Sequence, residues 1–157
     1  MSKAIVIYDS MFGNTEKIAK ALALGLEKHR VKVDCKKVDE VDAGKLIDYE
    51  FLAVGGPTHV AGMSEQMKIF LESAGDVNLK DKKGFCFDTR NRSRFNRFDL
   101  NSAAKRIEKK MKKKKVKIVK PRESAIVEGR EGPLEKDAET KFQRIGAELA
   151  SIILNQG

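Results

Sequence analysis

Tryptophan is absent from this 157-residue chain, and tyrosine, cysteine and histidine occur twice each. Each shortage excludes something. Two cysteines, Cys35 and Cys86, with no Cys-x-x-Cys pair do not make a disulfide framework. Free thiols of this kind are expected in the core. Two histidines, His29 and His59, leave no metal-ligand cluster and no Ser/His/Asp arrangement for nucleophilic catalysis. No apolar run approaches the ~18 residues that a membrane span needs. The run Ala4–Tyr8 is too short for the apolar region of a secretory signal and has no small-residue cleavage site after it. The expectation is a cytoplasmic protein.

What is present is a globular composition, 41% apolar and 35% charged, at a length that suits a single domain over residues 1–157. The net charge of +9 is unevenly placed. Residues 1–88 carry 13 Lys/Arg against 14 Asp/Glu, residues 89–122 carry 15 against 2, and residues 123–157 carry 4 against 7. One segment supplies the whole excess, which bears on partners rather than on fold.

Short β-branched runs alternate with helical periodicity. Strands are expected at Ala4–Tyr8, Val31–Cys35, Phe51–Gly56 and Lys83–Phe87, and a fifth in two pieces, Val116–Val119 and Glu123–Val127, broken at Lys120-Pro121 because proline cannot donate to a central ladder. Helices are expected from Thr15, capped by Ser10 or Asn14, and over Glu65–Ala74, capped by Ser64 with Met67, Ile69, Phe70 and Leu71 on its apolar face. A basic helix follows Asn101 or Ser102 to about Lys115, and a last one lies after Gly132-Pro133. Val41–Tyr49 reads as a short helix or turn, and Asp88–Leu100 as a long loop. Strand–helix alternation gives an α/β fold, a three-layer sandwich around a five-stranded parallel sheet of order 2-1-3-4-5. In that order Cys35 and Cys86 sit on strands three spacings apart, ~14 Å, beyond disulfide reach.

Ligands of such sheets bind at the carboxyl ends of the strands, where the winding reverses. Two loops fall there. In Asp9–Glu16, the side chains of Ser10, Asn14 and Thr15 gather at a helix N-terminus and Gly13 lets the backbone come close. Free amides and the positive end of the helix dipole suit a dianionic phosphate without any lysine. No Gly-Lys-Ser/Thr follows, so this is not a P-loop. An empty capping turn accounts for the spacing equally well. The second loop is Gly55-Gly56-Pro57-Thr58-His59-Val60-Ala61-Gly62-Met63.

Together these loops resemble those of the flavodoxin family. Asp9–Glu16 is similar to the family's phosphate loop Thr/Ser-x-Thr-Gly-Asn-Thr-Glu, with Phe12 where a hydroxyl is common. Gly55–Met63 resembles Gly-Ser-Pro-Thr-x-x-x-Gly, which packs on the isoalloxazine ring. The resemblance implies FMN as cofactor. It implies contacts from Ser10, Met11, Phe12, Gly13, Asn14, Thr15, Pro57, Thr58, His59, Val60, Ala61 and Gly62, and after the fourth strand from Asp88, Thr89, Arg90 and Phe95. The family usually offers Tyr or Trp in that last loop; here Phe95 and Phe98 are the candidates.

Arg90, Arg92, Arg94 and Arg97 would border the flavin, and guanidinium suits bidentate recognition of carboxylate or phosphate. They suggest an acidic redox protein or an anionic substrate as partner, with nucleic acid disfavoured by the lack of any motif beyond charge. The lysines that follow read as a solvated helix face. The function so implied is FMN-based electron transfer. The alternatives are an FMN-dependent NAD(P)H or quinone oxidoreductase and a non-flavin binding or regulatory domain on the same fold. A phosphorylated receiver domain is disfavoured, because Gly55-Gly56 stands where its Asp would be.

Overall fold

The structure, a computed structural model, describes residues 3–59, 62–75, 77–92 and 102–155. Its elements are β1 (Lys3–Tyr8), α1 (Asn14–Lys28), β2 (Lys32–Lys37), β3 (Phe51–Pro57), α2 (Glu65–Ser73), β4 (Lys83–Asn91), α3 (Ala103–Lys113), β5 (Lys117–Ile118), β6 (Glu123–Val127) and α4 (Ala138–Leu154). Two 3₁₀ segments, Val38–Glu40 and Ala43–Asp48, join β2 to β3. The sheet is parallel with strand order β2-β1-β3-β4-β5, and β6 also pairs with β4. β5 takes Lys83 and Gly84 of β4, and β6 takes Phe87 to Asn91. They are the two pieces of one strand position, with Pro121 in the gap.

Burial on both faces explains why the strands read as nearly continuous apolar runs. Ala4, Val6 and Tyr8 of β1, Phe51 and Ala53 of β3, and Phe85 and Phe87 of β4 pack under α1 and α4. The alternate residues Ile5, Ile7, Leu52, Val54 and Cys86 pack under α2, α3 and the 3₁₀ turns. The two helices on the first face meet backbone to backbone. A Cβ on Gly25 would lie 2.1 Å from the carbonyl oxygen of Gln143, and one on Gly146 would lie 2.3 Å from that of Leu22.

The structure differs from the sequence reading at several points of the fold. β4 runs on through Asp88–Asn91, which had read as loop, because β6 gives these residues a parallel partner. Ile69 is 57% exposed; the buried face of α2 is Met67, Phe70 and Leu71, continued by Ala74. Cys35, on the outer strand β2, is half-buried, whereas Cys86 is fully buried, and both are free thiols. α3 stops at Lys113, since Lys115 is already left-handed at φ 72°. Among the described residues no helix is long and apolar enough to cross a membrane.

Candidate functional site

Where β1, β3, β4 and β6 end, their loops enclose a cleft of about 480 Å³. One wall is the loop into α1. Gly13 caps that helix at φ 89°, a left-handed conformation that glycine adopts without a Cβ penalty. Ser10 Oγ accepts the Gly13 amide at 3.0 Å and the Glu16 amide at 3.4 Å, so Ser10 organises the turn from four residues ahead of the helix. Asn14 does not cap; its Nδ2 donates to the Glu131 carbonyl at 3.0 Å and ties the loop to the segment after β6. Behind the turn, the Tyr8 hydroxyl donates to Glu16 Oε1 at 3.1 Å. Burial first, then this bond, push the Tyr8 phenol up to about 12, and the same bond and Lys20 hold Glu16 below its usual range.

The amides of Met11, Phe12, Asn14 and Thr15 find no acceptor among the described residues. Asn14 and Thr15 are buried, 8% and 1% exposed. Buried N–H groups are nearly always satisfied, and orphan amides at a helix N-terminus form an anion site. The chemistry of this wall therefore fits a phosphate. Met11 and Phe12 beside it are 62% and 42% exposed, a pair of apolar side chains on the cleft lip.

The opposite wall is the loop after β3. His59 and Gly62 exchange backbone hydrogen bonds, 2.7 Å from the His59 amide and 2.9 Å from the Gly62 amide, which closes a tight hairpin with Gly62 at φ 95°. Pro57, Thr58 and His59 line the cleft. The floor is the end of β4. Thr89 Oγ1 lies 2.9 Å from Thr15 Oγ1, joining floor to the α1 wall, and its carbonyl accepts the Thr58 amide at 2.9 Å.

Asp88 sits one residue below, fully buried. Its carboxylate accepts from Thr58 Oγ1 at 3.0 Å, from Ser102 Oγ at 2.5 Å, from the Ala104 amide at 3.0 Å and from Ser124 Oγ at 2.5 Å. Four donors from three elements consume it, so Asp88 stands behind the cleft as a tie and does not line it.

The structure thus brings Ser10, Met11, Phe12, Asn14, Thr15, Pro57, Thr58, His59, Thr89 and Arg90 to one cleft, while Gly13 and Gly62 shape its loops without lining it. Val60, Ala61 and Phe95, with Phe98, Arg94 and Arg97, lie outside the described residues. The sequence reading missed Asn91, Val127, Gly129 and Arg130, which also line the cleft. The rule that carboxyl ends bind ligands could have found them, since Val127 already ended the expected second piece of the fifth strand and Asn91 would have followed had β4 been carried past Phe87. No Asp or Glu is among the lining residues, whereas Arg90, Arg130 and His59 are. The arginines read as a partner surface divide. Arg90 is buried in the cleft wall. Arg92 forks onto Glu128 at 2.7 and 2.8 Å, which holds that carboxyl below its usual range.

A doubly wound α/β fold with a turn of unpaired backbone amides at its reversal point defines the class of protein. The flavodoxin family model matches residues 6–145, and the chain belongs to that family. It is 32% identical over 88 residues to "Probable flavodoxin 1" of Bacillus subtilis, covering 55% of this chain and 56% of that one. It is 33% identical over 97 residues to an "NAD(P)H dehydrogenase (quinone)" of Caulobacter vibrioides, covering 49% of each. The chain spans about half the length of the curated relatives it matches. Among solved structures, a flavodoxin from the domain Archaea superposes with a TM-score of 0.81 at 24% identity, over 98% of this chain and 99% of that one, a likeness of fold.

Proposed function

We propose that this protein binds FMN in the cleft and carries electrons between redox partners. The observation that supports this reading most directly is the set of orphan amides of Met11, Phe12, Asn14 and Thr15, with no acidic side chain among the described lining residues to repel a dianion. Ser10, Asn14, Thr15 and those amides would hold the phosphate. Pro57, Thr58 and His59 would flank the ring on one side, and Thr89, Arg90 and Asn91 would form its floor. Bound FMN supplies one- and two-electron chemistry at its isoalloxazine ring. The chain's own residues orient the ring and cover it, with Met11 and Phe12 at the lip. Family membership adds support, since the two loops that resemble the family's motifs are the two that build the cleft.

The test is reconstitution with riboflavin, FMN and FAD, read by flavin fluorescence quenching. FMN is expected to bind stoichiometrically. Two or more charge-assisted hydrogen bonds to phosphate, each on the order of 1.5–3 kcal/mol, should separate it from riboflavin by at least about a hundredfold. Equal affinity for riboflavin would remove the Met11–Thr15 turn from the site. A second reading, an FMN-dependent NAD(P)H or quinone oxidoreductase, is favoured by the likeness to the Caulobacter dehydrogenase. Steady NAD(P)H oxidation by the FMN-loaded protein alone, with a quinone as acceptor, would establish it over the carrier.

A further inference from the structure

The exposed side of α3 is a surface of one sign. Ala103, Ala104, Ile107 and Met111 turn to the core with Glu108, and everything that faces outward is cationic: Lys105, Arg106, Lys109, Lys110, Lys112 and Lys113. The helix is about 16 Å long by its 11 residues. Its one acid does not relieve the charge outside. The Glu108 side chain is 9% exposed and is taken by Lys112 and Arg122, each at 3.2 Å. Among the described residues, no acid pairs with Lys105, Lys109, Lys110 or Lys113. A groove of about 360 Å³ between α2 and α3 is lined by Lys68 and four of these cations, with Met63 and a single acid, Glu65.

The surface starts at the rim of the candidate cleft. The Ala103 amide donates to Thr58 Oγ1 at 3.0 Å, and Thr58 lines the cleft. Arg106 lies so close to the hairpin after β3 that a Cβ on Gly62 would be 2.3 Å from its Cδ. A macromolecule seated on α3 would therefore border the mouth of the cleft.

We propose that the outer face of α3 is the docking surface for an acidic electron-transfer protein. Two observations favour this occupant over a nucleic acid. The face is built of lysines and one arginine with no exposed aromatic side chain, so it offers point charges and no platform for base stacking. It also adjoins the redox cleft, a placement of use to an electron donor or acceptor. Five lysines on a rigid helix suit a short-lived encounter, in which charge raises the association rate and leaves dissociation fast. Electron transfer at the surface rests on the FMN reading above; docking itself does not.

The experiment uses the FMN-loaded chain, oxidised for binding and reduced beforehand with dithionite for electron transfer, and two ferric haem-protein probes of opposite charge, the acidic cytochrome b5 haem domain and basic cytochrome c. Binding is read by titration calorimetry, and reduction by stopped flow, from about 20 to about 300 mM salt, a range over which the Debye length falls severalfold. The acidic probe should bind and react at least about tenfold faster at the low end than at the high end, and cytochrome c should show the reverse trend. In the triple variant Lys105→Glu, Lys109→Glu, Lys113→Glu that advantage should vanish, with the flavin spectrum unchanged. A control variant, Lys28→Glu, Lys32→Glu, Lys36→Glu, makes the same change in net charge on exposed positions away from α3. It should keep most of the advantage. Equal loss in both variants would mean that only total charge matters, and would overturn the docking surface. Tighter binding of a DNA duplex of about 20 bp than of the acidic probe at about 150 mM salt, lost in the triple variant, would overturn the choice of occupant. A chain that holds no FMN abolishes the reduction signal and the proposed function with it, while calorimetry still decides the docking.

Discussion

At the scale of single residues, the buried side chain with most at stake is Asp88. A buried charge is tolerable when donors satisfy it, and costly when one side of the arrangement is removed. Asp88→Ala leaves Thr58, Ser102, Ser124 and the Ala104 amide without their acceptor. It should cost on the order of 3–5 kcal/mol in urea unfolding. Asp88→Asn keeps the shape but turns one acceptor into a donor facing hydroxyls, and about half that loss is expected. A change within the scatter of surface substitutions would show that the hub carries little. Tyr49 offers a second residue-level test, through pH. Burial, and then its 2.6 Å hydrogen bond to Asp34, raise the phenol from 10.0 to about 12. A raised value means that the fold favours the protonated phenol. The stabilisation is complete below the unfolded value and is lost as pH climbs through the folded one. Tyr49→Phe keeps the ring and removes the titration. Wild type should be the more stable below pH 10, and the gap should close between pH 10 and about 12. A gap independent of pH across that window would show that the hydroxyl does not titrate with folding.

At the scale of elements, the crossing of α1 over α4 depends on Gly25 and Gly146. A methyl at Gly146 would meet the Leu22 carbonyl at 2.3 Å and the Gly25 Cα at 2.9 Å, both backbone atoms that cannot rotate away. Gly146→Ala gains about 1 kcal/mol of helix propensity. Forcing two packed helices apart commonly costs 1–3 kcal/mol, and this contact lies at the tight end. A net loss of about 2 kcal/mol in thermal unfolding is expected; a stabilised variant would mean that the helices separate freely. The same elements show which parts of the fold were legible in the sequence. β1, β3 and the first half of β4 announced themselves because both of their faces are buried, so apolar residues run on without a break. The Ser64 cap was readable because its partner, the Met67 amide, is three residues away. Ile69 was misread on α2, since Met67, Phe70, Leu71 and Ala74 already fill the spacing of one face and a residue between them must point outward. The second half of β4 was illegible. Asp88-Thr89-Arg90-Asn91 is polar, and its place in the sheet depends on pairing with β6 and, at Asp88, on donors 14 to 36 positions away in sequence. The two walls of the cleft follow local motifs and could be read; of its floor, Thr89 and Arg90 were reached through the family resemblance, whereas Asn91, Val127, Gly129 and Arg130 are brought in by tertiary contact and were not.

At the scale of the whole molecule, the charge that suits a partner works against the helix that carries it. Residues three and four apart on a helix are neighbours, so Lys105 faces Lys109, Arg106 faces Lys110, and Lys109 faces Lys113. Each such like-charged pair costs about 0.2–0.5 kcal/mol at low salt. Lysines in the last turn recover part of this from the helix dipole, and Lys112 recovers more from Glu108. The remainder is a standing repulsion on a chain of net charge +9. Lys109→Glu converts its two i,i+4 pairs, with Lys105 and Lys113, from repulsive to attractive and adds an acid midway along the cationic face. It should therefore stabilise the protein by about 0.8–2 kcal/mol at low ionic strength, both the lost repulsion and the new attraction counting. Wild type should gain stability as salt is raised from about 20 to about 300 mM, because exposed charges more than a Debye length apart are then screened, and Lys109→Glu should respond much less. Paired urea titrations at the two salt concentrations test both statements. A destabilised Lys109→Glu, or equal salt responses in the two proteins, would mean that the lysines of α3 are already accommodated by contacts within the fold. The predicted gain would instead reveal a surface held against stability, and the same substitution, as part of the triple variant, should slow the acidic probe while the fold itself becomes firmer.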